Sequence, residues 1–393
     1  MKQLTRVHIK KDTLSSLLLL TGVILALAIS NNDWSLGYYR SFINYKFSLD
    51  FKLFVLHKTV LKFVNDGLMA IFFFLLGLEM KYHIVEGEFK EKRSLLLPAS
   101  TAIGGFLVPA FIYILFNFNS ADGIHGWAIP VATDTAFVLA ILSIVSKRNA
   151  NSIRVFVVGL SIIDDVLAVT ILAIFYTPDL DLIQLLLCIF PLIYLATLNL
   201  RKSYNKYLYY LGGIVLWALV VNSGVHGTIA GIVLAFFVPT HIKIADKTIP
   251  LIKEMETSVH SISAFFILPI FAFVNCELPF KELVTDGLIS TITIGCFVGL
   301  LIGKPLGIIG ALYVIKRFKN VGLPQGCTKL QFLGIACLCG IGFTLSLFIG
   351  LIAFDTTANT IALENQMKLG VLSASILSAL IGIIIIKVSE RYN

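Results

Sequence analysis

The sequence predicts an all-α polytopic membrane protein with about twelve transmembrane helices and a small extracytoplasmic β-hairpin. Three observations carry that prediction. Of 393 residues, 57% are hydrophobic and only 14% charged, whereas a soluble domain carries about 25% charged residues. Apolar runs of about 20 residues, enough for a helix to cross ~30 Å of hydrocarbon, recur along the chain. Lys and Arg gather on alternate sides of those runs. The soluble-domain prior of roughly 150 residues therefore does not apply, and 1–393 reads as one integral membrane domain.

The first run, 14–30, follows Lys2, Arg6, Lys10 and Lys11 and ends in Ala26-Leu27-Ala28, which imitates a signal peptide. Its apolar stretch exceeds the ~7 to 15 residues of that class, so it reads as a retained first helix. The others fall at 59–82, 95–116, 126–145, 152–176, 182–199, 206–221, 224–239, 257–275, 288–314, 330–354 and 368–388. Of 31 Lys and Arg, 23 lie on the side holding both termini and 6 on the other, with Lys62 and Lys304 inside spans. Positive residues concentrate in cytoplasmic loops, so both termini are expected in the cytoplasm. The net charge of +8 is thus a matter of topology. No basic face has the polar surroundings of a nucleic-acid site. Six cysteines, at 188, 276, 296, 327, 337 and 339, show no CxxC or zinc spacing and read as buried thiols.

In the outer loop 31–58, Tyr45, Phe47, Leu49, Phe51 and Leu53 alternate with Lys46, Ser48, Asp50 and Lys52. Strict alternation is a strand signal. A lone amphipathic strand leaves an edge unpaired, so 45–53 is expected to pair within a hairpin or with another subunit.

Ionisable groups at mid-membrane cost at least ~2.5–3.5 kcal/mol on insertion scales, so each is a functional candidate. Asp134 follows Pro130 by four residues and lies between Thr133 and Thr135. The proline removes a backbone donor, so the fourth helix is expected to break beside a carboxylate. Non-helical backbone at that depth survives only when buried in protein or lining a wet cavity. Asp164 and Asp165 lie deep in the fifth span. Adjacent carboxylates repel one another, exchange protons, and offer hard oxygen ligands for a small cation. Lys304 is the deep cation available to them, beside glycines at 299, 303 and 307 that form a flat strip for close helix approach. The eleventh span is interrupted by Gly340, Gly342 and Thr344, as the fourth is by Pro130 and Thr133. Paired interruptions point to a midplane site.

Ala132-Thr133-Asp134, Ile162-Ile163-Asp164-Asp165, Gly303-Lys304-Pro305-Leu306-Gly307 and Gly340-Ile341-Gly342-Phe343-Thr344 together resemble the signatures of NhaA-type sodium/proton antiporters. The resemblance extends to Asn65-Asp66, Gly77-Leu78-Glu79-Met80-Lys81, His125 to Pro130 and Phe266 to Asn275. It implies inverted repeats, two broken crossing helices, and electrogenic alternating-access exchange of cytoplasmic Na⁺ or Li⁺ for H⁺ across a bacterial inner membrane. Asp164 and Asp165 would hold the transported Na⁺ or protons, with Asp134 and Thr133 at the helix break and Lys304 pairing with Asp164 in the cation-free state. No cofactor is implied. A homodimer held through a hairpin agrees with the 45–53 alternation. The chain departs from the family pattern at Tyr82-His83 and Thr257, so Glu79, His83, Glu256 and His260 are the candidates for a pH response. Two alternatives remain open. A Na⁺-coupled solute symporter needs a polar cavity with no obvious residues here. An intramembrane aspartyl protease needs a Gly-x-Gly-Asp element that is absent.

Overall fold

A computed structural model describes residues 2–50, 55–87, 92–145, 150–176, 180–244, 247–282, 289–319, 321–355, 357 and 359–391. All twelve expected spans are helical over most of their length. Among the described residues, eight helices are long and apolar enough to cross a membrane, and two bent pairs raise the number to ten. The remaining two, Lys206–Asn222 and Gly227–Phe237, have only 17 and 11 residues.

Helix ends follow local chemistry. Asn32, Asp181, Asn205 and Ser290 each accept a backbone N–H at the start of a helix, and Thr328 with Gln331 forms a capping box. Two wide turns precede prolines. Lys304 N–H reaches back five residues to Gly299 O, and Leu268 N–H to Ser263 O. Such turns rearrange the hydrogen-bond ladder just where Pro305 and Pro269 bring no donor of their own.

The chain folds into two compact units, one comprising 1–17, 91–168 and 278–393, the other 18–90 and 169–277. In the first, helix Lys92–Asn117 packs against helix Lys304–Lys319. The expected glycine strip makes that packing possible. A Cβ at Gly307 would collide with Gly104 O and one at Gly303 would lie 3.0 Å from Pro109 Cα, while one at Gly299 would lie 2.8 Å from Pro130 Cβ in the fourth span. The long helix Thr360–Arg391 packs against Lys329–Leu338 and Thr291–Val298.

In the second unit, the helical span Val60–Val85 lies against Gly227–Phe237. Their shared apolar core includes Leu78, Leu195, Leu216, Ala235 and Met255. Strands Lys46–Asp50 and Val55–Thr59 pair antiparallel, with Lys46 opposite Thr59. Of the expected 45–53 strand, the first part is therefore strand, its partner lies within the chain, and 51–53 fall outside the described residues. The segment after the first span also holds a helix, Asp33–Ile43, turned 118° from that span. The sequence reading had no place for it, because its apolar face is too short to register as a span. A second pair of short strands, Ile242–Ile244 and Lys247–Ile249, was likewise not expected.

Candidate functional site

The fourth span changes character at Pro130. Gly123–Val131 is a 3₁₀ helix, 132–134 are non-helical, and Thr135–Val145 is α-helical. The eleventh breaks over 339–342, between Lys329–Leu338 and Phe343–Phe354, with a 41° bend. The two breaks touch. Asp134 N–H donates to Ile341 O at 2.7 Å. A Cβ at Gly340 would meet Leu300 O at 2.6 Å, and one at Gly342 would lie 3.1 Å from Ala132 O. Both glycines are therefore required by close backbone approach, in addition to interrupting the helix.

Broken helices expose backbone ends inside the protein, and those ends carry partial charge. Asp134 meets the positive ends. Its Oδ2 accepts from Thr344 Oγ1 at 2.7 Å and Thr344 N–H at 3.2 Å, in the first turn of Phe343–Phe354. The same carboxylate also accepts from Ala136 and Phe137 N–H in the first turn of its own helix. Lys304 and Thr133 meet the negative ends. Lys304 Nζ donates to Val131 O, the last carbonyl of the 3₁₀ helix. Thr133 Oγ1 lies 3.1 Å from Cys339 O, at the end of Lys329–Leu338.

The two sets of contacts converge on Asp164. Its Oδ2 accepts from Lys304 Nζ at 2.6 Å and lies 2.8 Å from Thr133 Oγ1. Thr133 has one hydroxyl proton for two acceptors, Asp164 and Cys339 O. Asp164 Oδ1 is buried without a hydrogen-bond partner among the described residues. Asp165 is also buried, one residue and about 100° further round the helix Ala150–Phe175. All five side chains, Thr133, Asp134, Asp164, Asp165 and Lys304, are at most 9% exposed. Pro130, Gly340, Gly342 and Thr344 lie at the same junction. Chemically, this is a buried cluster of hard oxygens holding one ammonium.

The pH-response candidates lie in the other unit. Glu79 and His83 are within electrostatic reach of Glu256 and of Lys253. Lys253 Nζ pairs with Glu256 at 2.5 Å and stands 4.8 Å above the Tyr82 ring. His241 Nδ1 pairs with Glu86 at 2.6 Å. His260 is exposed, and no described contact joins it to the cluster. Sequence reasoning missed Lys253, although its i,i+3 spacing from Glu256 was a usable signal. It missed His241 because nothing local ties that residue to Glu86. Lys81, named only within the family signature, caps the end of Gly227–Phe237 through Phe236 O and Val238 O.

Comparison with known proteins bears on this architecture. Residues 6–386 match the family described as Na+/H+ antiporter 1. A relative from Rickettsia massiliae is 42% identical over 384 residues, covering 96% of this chain and 93% of its own. One from Campylobacter curvus is 41% identical over 372 residues, covering 95% and 92%. One from Citrobacter koseri is 39% identical over 382 residues, covering 97% of each. All three are named Na(+)/H(+) antiporter NhaA. With the match running nearly end to end through both broken spans and every buried charge between them, the chain belongs to the Na+/H+ antiporter 1 family.

Proposed function

We propose that this multi-pass membrane protein exchanges Na⁺ for H⁺, and also accepts Li⁺, through Asp164 and Asp165. The observation that carries the reading is the Lys304–Asp164 pair, buried at 0% side-chain exposure on both partners. A buried ion pair is poor value for stability alone, since desolvation offsets most of its attraction. Here the ammonium occupies the place of a cation facing a carboxylate and a backbone carbonyl. Na⁺ or a proton arriving at the aspartates competes for the same negative charge. Binding one excludes the other, so coupling needs no separate gate. Alternating access then follows from repacking around the two breaks.

Asp134 holds the two positive helix ends together and tunes the site without carrying the exchanged proton. The termini are cytoplasmic, as the Lys and Arg bias indicates, and residues 45–53 are the contact of a homodimer in a bacterial inner membrane. Two protons per Na⁺ would move one net charge inward, worth roughly 2.3 kcal/mol per 100 mV.

The test is transport in proteoliposomes, following luminal pH after addition of Na⁺, Li⁺ or K⁺. Na⁺ and Li⁺ should move protons and K⁺ should not. Asp164→Asn and Asp165→Asn should each abolish the response, because an amide neither releases a proton nor offers full charge to a dehydrated cation. Normal coupled exchange in either variant overturns the assignment.

A further inference from the structure

We propose that a furrow between helices Lys92–Asn117 and Lys304–Lys319 seats one acyl chain of an anionic phospholipid, whose phosphate is held by the cations at the end of the second helix. The furrow has a volume of about 530 Å³, is almost wholly apolar, and runs from Leu306 to Lys319 with Leu107 and Val314 among its walls. At 1.5 Å per residue that is about 20 Å, comparable with one leaflet of a ~30 Å hydrocarbon core.

Its floor is Gly104, Gly307 and Gly310, and these glycines are not equivalent. Gly104 and Gly307 are in backbone contact and must be glycine for the helices to meet, whereas a Cβ at Gly310 would meet nothing within 4 Å. Helix packing therefore does not explain Gly310. An occupant lying in the furrow does.

Charge identifies the occupant. Lys316, Arg317 and Lys319 crowd the last turn, all exposed, with no ion-pair partner among the described residues. No acidic residue occurs between 304 and 354. The contacts of Gly104 with Gly307 and of Pro109 with Gly303 make the helices antiparallel, so the neighbouring helix begins at the same level. Basic clusters beside grooves between spans suit anionic headgroups, and a zwitterionic headgroup gains little from them. The furrow also borders the Gly104–Gly307 crossing, less than one turn from Lys304.

The full-length protein in detergent can be titrated with phosphatidylglycerol and phosphatidylcholine of identical chains, with bound lipid read by native mass spectrometry. Wild type should bind phosphatidylglycerol at least tenfold more tightly. The Lys316→Gln/Arg317→Gln/Lys319→Gln variant should lose that preference and retain weak binding of both lipids. Gly310→Leu, which fills the furrow, should weaken both by tenfold or more. Equal affinity of wild type for the two lipids, or an unchanged preference in the triple variant, overturns the headgroup site. Unchanged binding in Gly310→Leu overturns the furrow. The triple variant alters exposed side chains only, so it keeps the proposal open to refutation if Gly310→Leu folds poorly.

Discussion

The two compact units handle charge in opposite ways. In the first, Asp134, Asp164 and Lys304 are at most 4% exposed, and each is matched to a defined partner or helix end. In the second, Glu86–His241 and Lys253–Glu256 keep side-chain exposures of 24%/40% and 46%/12%. A charge removed from water depends on its partner by several kcal/mol. A pair that keeps at least one partner open to water depends less on that partner and is screened by salt. The first arrangement suits a site whose occupancy must be all or none. The second suits graded adjustment.

The largest effect should therefore come from Lys304→Ala. Breaking a buried pair by deleting one partner costs about 3–5 kcal/mol, and here Val131 O loses its donor as well. Thermal unfolding should move to clearly lower temperature and the pH–activity profile should shift. Lys304→Arg should lie between Ala and wild type, keeping the charge with a planar fork that copies an ammonium poorly. An Ala variant matching wild type in both measurements would erase the contrast between the units.

Gly307→Val comes next. Its Cβ would collide with Gly104 O, a backbone atom that cannot rotate away, so the helices must separate at a cost of about 1–3 kcal/mol or more. The matched substitution at Gly310, Gly310→Val, should be nearly silent in lipid-free detergent. Comparable melting temperatures for the two variants would refute the crossing as described.

Asp134 tests the helix-end argument. Losing a cap costs about 0.5–2 kcal/mol. Asp134→Ala removes acceptors from both Phe343–Phe354 and Thr135–Val145, whereas Asp134→Asn keeps one oxygen for Thr344. Asn should retain Na⁺-driven exchange with weakened apparent affinity and a smaller stability loss than Ala. Full activity in Ala would show that the helix ends need no neutralisation.

These ranks were partly legible in the sequence. Asp164, Asp165, Asp134 and Lys304 stand out because a charge inside an apolar run is costly wherever it points. Pro130 and the Gly340–Gly342 pair mark breaks by backbone chemistry alone. What periodicity could not supply was which helix meets which. The 299–303–307 strip foretold a close approach but not that Gly104 and Pro109 would face it. The catalogue of side chains also passed over Val131 O, Cys339 O and Ile341 O, backbone groups that acquire a role only when helices break. The 118° turn after Ser30 escaped for a related reason. Asn32 capping Trp34 N–H is a local start signal, but an 11-residue helix carries too little apolar surface to stand out.

The smallest expected effect separates the two units most sharply. His83 lies beside Glu256 and Lys253, while His260 is exposed. Histidine's ordinary pKa of about 6.5 puts its charge change within the physiological window. If the cluster adjusts transport, a His83→Ala/His260→Ala variant should keep its melting temperature within a degree or so and retain maximal rate at saturating Na⁺ above pH 8. Between pH 6 and 8 it should show a shallower rise in rate. Nearly all of the change should be traceable to His83, since His260 makes no described contact with the acids, so the single variants should differ. Raising salt should shrink the effect, because the Lys253–Glu256 pair that acts on His83 is open to water at Lys253 and so screened, and should leave the Lys304 phenotype in place. If the double variant and wild type superimpose across pH 6 to 9 at saturating Na⁺, the second unit has no part in the response. Proton competition at Asp164 and Asp165 then accounts for all of it.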